Sequence, residues 1–223
     1  MSVINRLLSL WLSIWLYGMA VAGTVLVIVL ATGWNGFGWE HRLGLMGVIA
    51  LTMHMWEEER IPGGFAYMMN TMQGSDMPDR YPMSDLVAML VDCCGVTVML
   101  FILFLGHGAD WAAIAIACIG ITEAAIHTVA GFALRRKYAA QGKRTIYDPG
   151  LITALFAFLP TSIATFTYAA RSSTTTDWII GILTAIAILS INVKGLETLL
   201  KDRNTPYPIP EQHVKGYFAK YTR

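Results

Sequence analysis

Leu43-Gly44-Leu45-Met46-Gly47-Val48-Ile49-Ala50-Leu51-Thr52-Met53-His54-Met55-Trp56-Glu57-Glu58-Glu59-Arg60 joins an apolar run to a dense polar cap. The run is close to the roughly 20 residues that a spanning helix needs. Its end carries an imidazole and three carboxylates. On a helix, His54, Glu57 and Glu58 at i, i+3 and i+4 share one face. Ionisable side chains at membrane depth are costly, so this face is a candidate functional centre inside a helical membrane protein.

The rest of the chain supports a membrane setting. Of 223 residues, 55% are hydrophobic and only 14% are charged, against about a quarter charged in soluble domains. Mean hydropathy is +0.52. Six apolar stretches, at about 7–31, 43–60, 85–105, 111–134, 150–170 and 178–200, predict an all-α polytopic protein. Met1–Arg6 ahead of the first stretch reads as the lead-in to a retained span, because the apolar run is too long for a usual signal peptide. Cys93, Cys94 and Cys118 all fall within spans and read as reduced core residues, not a disulfide framework. Pro160 is expected to bend the fifth span, not end it.

Charge sets the orientation. Arg6, the Arg135/Arg136/Lys137/Lys143/Arg144 cluster, and Lys201, Arg203, Lys215, Lys220 and Arg223 fall on one side if six spans alternate. The positive-inside rule makes that side cytoplasmic. The expected architecture is a compact six-transmembrane-helix bundle over 1–200, N-in and C-in, with a cytoplasmic interfacial tail at 201–223. The connectors 106–110 and 171–177 fall outside, with His107 in the outer loop, and 61–84 falls inside. A bacterial cytoplasmic membrane is the expected location. In the tail, Pro206, Pro208 and Pro210 disfavour a continuous helix, while Lys215, Phe218, Lys220 and Tyr221 suit contact with anionic lipids.

This topology places several polar residues at one depth. Glu123 lies near the middle of the fourth span, with His127 about 6 Å further inward on the same face. Asp92 of the third span and Asn192, Lys194 and Glu197 of the sixth lie in their inner halves. The sharp reading is a divalent metal, zinc or iron, held by His54, Glu57, Glu58, Glu123 and His127. Glu58 and Glu123 are the candidate catalytic carboxylates. Asp92, Asn192, Lys194 and Glu197 would supply outer polar groups. The bland readings are a boundary run at Glu57–Arg60, a Glu123–His127 packing pair, and a Lys194–Glu197 interfacial pair. Neither the His-Glu-x-x-His zinc motif nor the full diiron arrangement is present.

Between the second and third spans, Ile61-Pro62-Gly63-Gly64-Phe65 breaks the helix, and Met68, Met69 and Met72 offer an adaptable apolar surface. This connector could cover the polar cluster, with Phe65 and Asn70 as candidate substrate contacts. The bland reading is a membrane-hugging linker.

His54-x-x-Glu57-Glu58, Pro62-Gly63-Gly64-Phe65, Asn70, Glu123-x-x-x-His127 and Tyr147-x-Pro149-Gly150-Leu151 together resemble the HXXEE membrane-protein family over about 43–165. That family is known mainly by its motif, so the resemblance implies no reaction. There is also a partial likeness to CAAX-type intramembrane proteases, but Glu58-Glu59-Arg60 lacks their wider Glu-Glu to Arg spacing.

The leading expectation is a metal-dependent membrane enzyme, a hydrolase acting on a lipid or other membrane-embedded amphiphile. The alternatives are a proton-coupled transporter, through Asp92, Glu123, His127, Lys194 and Glu197, and a noncatalytic lipid-binding protein. Nucleic acid is not an expected partner, and the sequence leaves homo-oligomerisation open.

Overall fold

A computed structural model describes residues 3–105 and 109–222, with side chains from Arg6 onward. The described elements are all helical: α1 Val3–Gly33, α2 Trp39–Glu59, α3 Phe65–Met72, α4 Asp85–Leu105, α5 Asp110–Lys137, α6 Leu151–Ser172 and α7 Thr175–Leu200, followed by short turns of helix at Glu211–Val214 and Gly216–Lys220. Five of them, α1, α4, α5, α6 and α7, are long and apolar enough to cross a membrane. α2 is 21 residues long but carries Glu40 and Arg42 near its start and Glu57–Glu59 at its end, which shortens its apolar run. His107 lies outside the described residues.

α2 and α5 form the centre of the bundle. α2 packs against α1, α4, α5 and α6, while α5 packs against α2, α4, α6 and the first half of α7. Small residues permit this. Ala112, Ala113, Ala115, Ala117, Ala124 and Ala130 of α5 are all buried, so neighbouring backbones approach closely where lipid offers little hydrophobic drive. Large side chains fill the remaining gaps, among them Leu45, Met55, Met99 and Leu103.

Two helices carry π-helical turns. α6 widens over Ala154–Phe158, immediately before Pro160, and continues to Ser172. The proline is thus accommodated by a local change of pitch, consistent with a span that continues past it. α7 widens over Leu189–Gly195. Its start is secured by a capping box in which Thr174 and Asp177 satisfy each other's end of the helix.

The segments 61–84, 138–150 and 201–222 meet at one end of the bundle. Tyr217 N–H donates to the Gly63 carbonyl (3.0 Å), and Ile209 N–H to that of Asp79 (2.9 Å). Buried Lys143 donates to the Tyr147 carbonyl and lies beneath the rings of Tyr217 and Tyr221. Here the structure differs from the sequence expectation of a lipid-brushing tail. Phe218 is buried against Met68, Leu134 and Tyr138, and Tyr221 stacks on Tyr138, because α3, α5 and the residue after α5 together offer these rings an apolar protein surface. Only Lys215 and Lys220 of that set remain exposed. Gly64, at φ 102°, is what lets the tail close down: a Cβ there would stand 2.6 Å from the Lys215 carbonyl oxygen.

Candidate metal centre

α2 and α5 cross so that the His54 and His127 rings meet edge to face, 4.9 Å between centroids. Both are buried. The chain that enters α6 passes directly over them. Gly150 there has φ 100°, and a Cβ would lie 2.3 Å from His127 Cε1 and 2.8 Å from His54 Cε1. Only a residue without a side chain fits.

The hydrogen bonds behind the rings decide what the rings present in front. His127 Nδ1 lies 3.1 Å from Asp148 Oδ2, inside the protein, so the carboxylate accepts an Nδ1 proton. His54 Nδ1 lies 2.8 Å from Thr153 Oγ1. That hydroxyl donates to Glu57 Oε2 at 2.6 Å, which leaves it free to accept the Nδ1 proton of His54. Both imidazoles are thereby held with the lone pair on Nε2. Neither Nε2 has a hydrogen-bond partner, although both are buried.

Two carboxylates face those atoms. Glu58 Oε1 stands 3.3 Å from His54 Nε2 and 3.2 Å from His127 Nε2. Glu123 Oε2 stands 4.0 and 3.8 Å from the same two nitrogens. His54, Glu123 and His127 offer three ligand atoms within 4.8 Å of one another, enough to hold a metal ion. Phe65, from the start of α3, covers His127 at 5.4 Å between centroids.

Behind the centre, Asp148 lies in the connector before α6. Burial pushes its carboxyl above the ordinary value, against the opposing effect of the His127 hydrogen bond.

In front, His54, Glu58 and Glu123 border a cavity of about 460 Å³. Glu59, Asp92, Asn192, Lys194 and Glu197 line it too, with apolar walls from Met99, Ile119, Leu189 and Val193. Asn192 Nδ2 donates to the Val91 carbonyl (2.8 Å), and Glu197 pairs with Lys194 and accepts from Gln73 (3.0 Å). The structure therefore brings together His54, Glu58, Glu123 and His127, with Asp92, Asn192, Lys194 and Glu197 along the same cavity.

Two candidates sit elsewhere. Glu57 turns away from the histidines: its oxygens accept from Ile152 N–H (3.1 Å), Thr153 N–H (2.8 Å) and the Thr153 hydroxyl. A helix N-terminus with free N–H groups attracts an anion, and the start of α6 offers Glu57 such groups. Asn70 faces its own loop, donating to the Pro78 and Met83 carbonyls and accepting from Met83 N–H. Its amide is fully engaged there, so it holds the connector in shape and lies off the cavity wall. Phe65 does line the cavity.

Sequence reasoning missed Asp148 and Thr153. Asp148 sits in the unassigned position of Tyr147-x-Pro149-Gly150-Leu151, where it reads as an ordinary residue ahead of a helix. A short polar residue beside a Pro-Gly turn was the available signal.

A family model for proteins of unknown function with an HXXEE motif matches residues 45–165. The chain belongs to the HXXEE family. The match spans α2 through most of α6, and so takes in all four residues that face one another at the centre. No curated protein and no solved structure matches the chain.

Proposed function

We propose that this HXXEE protein is a metal-dependent integral membrane enzyme, a hydrolase acting on a lipid or another membrane-embedded amphiphile. One observation carries the reading: two buried Nε2 atoms, each ring fixed from behind, face the carboxylates of Glu58 and Glu123 without making a hydrogen bond. Leaving buried polar atoms unsatisfied is costly, and an ion would satisfy both. Tetrahedral ligands about 2.1 Å from one ion stand roughly 3.4 Å apart. Glu58 Oε1, at 3.3 and 3.2 Å from the two nitrogens, stands close to that value, and Glu123 lies just beyond it at 4.0 and 3.8 Å.

His54, His127 and Glu58 would hold the ion, leaving a fourth position for water beside Glu123, and an imidazole–carboxylate set suits zinc or iron. Such an ion polarises a carbonyl or phosphoryl oxygen and lowers the pKa of bound water. Glu123 is the partly exposed member, with its side chain 20% accessible on the cavity side. It is placed to take a proton from water beside the substrate, while Asp148 and Thr153 keep the rings oriented. The mainly apolar walls exclude bulk water and suit the chain of an amphiphile.

In this reading α2 is a sixth crossing, sheltered by α1, α4, α5 and α6. Both termini lie at the cytoplasmic face. The gathering of Arg135, Arg136, Lys137, Lys143, Arg144, Lys201 and Arg203 at the end that carries 138–150 and 201–222 supports that orientation.

The test is metal analysis of protein purified without chelator and then repleted, beside His54→Ala and His127→Ala. Wild type should retain stoichiometric zinc or iron and the variants should lose it. Purified holoprotein should then cleave a lipid from a membrane extract in a chelator-sensitive way. Absence of stoichiometric metal in folded wild type overturns the proposal.

A further inference from the structure

α5 packs closely along Thr175–Ile188 of α7, but the later half of α7, Leu189–Leu200, turns to pack on α4 instead. The change coincides with the π-helical turn at Leu189–Gly195, and the Asn192 bond to the Val91 carbonyl ties the departing half to α4. A gap is left between α5 and the second half of α7. The cavity fills it: Ile119, Glu123 and Ile126 line it from α5, and Ile188, Leu189, Asn192 and Val193 from α7.

The lips of this gap are apolar on their outward faces. Ile126 is 42% exposed and Ile191 71% exposed, on helices long and apolar enough to cross a membrane. An opening bordered by such side chains faces hydrocarbon, and its occupant comes from the bilayer, not from water. Depth narrows the choice further. His54 lies five positions before the end of α2 at Glu59, about 8 Å at 1.5 Å per residue, against a hydrocarbon core about 30 Å thick. The polar end of the cavity is therefore at the level where a lipid's head joins its chain. Exposed Lys194 and Gln73 lie at the rim.

We infer that one acyl chain of an inner-leaflet lipid enters this cavity sideways, between α5 and the Leu189–Leu200 half of α7. The chain lies along Met99, Ile119, Leu189 and Val193. The linkage between head and chain comes to rest at the Glu58–Glu123 end, and the head stays at the rim. This deepens the proposed function by naming a lateral route and the part of the lipid that reaches the centre, and it rests on that reading for what happens there.

The test uses the full chain in nanodiscs of phosphatidylethanolamine and phosphatidylglycerol, with a trace of phospholipid carrying a diazirine on one acyl chain. After illumination, peptide mapping should find label on cavity residues such as Met99, Ile119 and Asn192. In Val193→Trp and in Ile126→Trp that label should fall about tenfold, since added bulk at a packed wall narrows the passage. Ile126 is already partly exposed, so its variant keeps the test valid if Val193→Trp does not fold. Label confined to outward residues such as Phe101 and Phe132, or cavity label unchanged in the folded variants, overturns the inference. Metal content is read on the same samples. Cavity label without metal sinks the enzyme reading alone, and metal without cavity label sinks the lateral route alone.

Discussion

Gly150→Ala tests whether the meeting of the two histidines depends on a backbone that passes over them. The new methyl would stand 2.3 Å from His127 Cε1, 2.7 Å from His127 Nε2 and 2.8 Å from His54 Cε1, all below any ordinary carbon contact. It would also force an L-residue to φ 100°. The left-handed backbone costs about 1–2 kcal/mol, and overpacking typically costs about 1–3 kcal/mol. Lower entropy of the unfolded chain returns about 0.4–1 kcal/mol. The net expectation is a loss of roughly 1–5 kcal/mol, with the rings pushed apart as the cheapest relief. Thermal unfolding in detergent reads the first effect, and metal titration of the folded variant reads the second. Gly150→Ala should melt lower and bind metal more weakly. If it melts at or above the wild-type temperature with unchanged metal affinity, the close approach of α6 to the ring pair is wrong.

Three other perturbations separate the parts of the site. Asp148→Ala removes the acceptor behind His127, and metal affinity should fall about 10–100-fold by competition titration; unchanged affinity would show that Asp148 does not orient the ring. Glu57→Gln should lower stability by about 1–3 kcal/mol, because three hydrogen bonds to a carboxylate are weakened, while metal content is retained. Glu58→Gln should do the reverse, losing metal with a smaller effect on melting, and equal outcomes for the two variants would refute their separate roles. At the tail, Arg60 Nη1 donates to His213 Nε2 at 2.7 Å, which requires that nitrogen to be unprotonated. Burial and the Arg60 charge lower the His213 pKa, so its contribution is full above the ordinary 6.5 and is lost as pH falls through the lowered folded value. Tryptic cleavage at Lys215 and Lys220 should therefore speed up as pH drops below about 6.5 in wild type, with a flatter response in His213→Gln; identical pH dependence in both would show that the Arg60–His213 bond does not hold the tail in place.

The helical elements were legible because each is a long apolar stretch with punctuated ends. Those stretches agree with α1, α2, α4, α5, α6 and α7 to within a few residues at each end. Rise per residue and alternating direction led to the expectation that His54, Glu57 or Glu58, Glu123 and His127 meet, but not to which of the two glutamates faces the histidines. What lay beyond reach was anything decided by side-chain direction across elements. Asn70 looked like a free amide because nothing local shows that Met83, thirteen residues on, folds back onto it. Phe218 looked interfacial because the apolar surface it covers is assembled from α3, α5 and the tail itself. Asp148 and Thr153 were invisible as a pair, since their roles exist only once the start of α6 is laid over α2 and α5.

The motif's spacing follows from these directions. Relative to His54, a residue four positions on is rotated by about +40° around the helix, and one three positions on by about −60°. Glu58 therefore falls on the side where α5 brings His127, and its Oε1 comes within 3.3 Å of both Nε2 atoms. Glu57, about 100° away from Glu58, falls on the side where α6 begins and binds its first free N–H groups. Thr153 closes the circuit, since it accepts from His54 and donates to Glu57. The first glutamate of the pair thus anchors the segment that carries Asp148 and Gly150 over the rings, and the second faces the centre. A histidine and two adjacent glutamates at this spacing let one helix turn position two others: α5 through Glu58, α6 through Glu57, and both through His54.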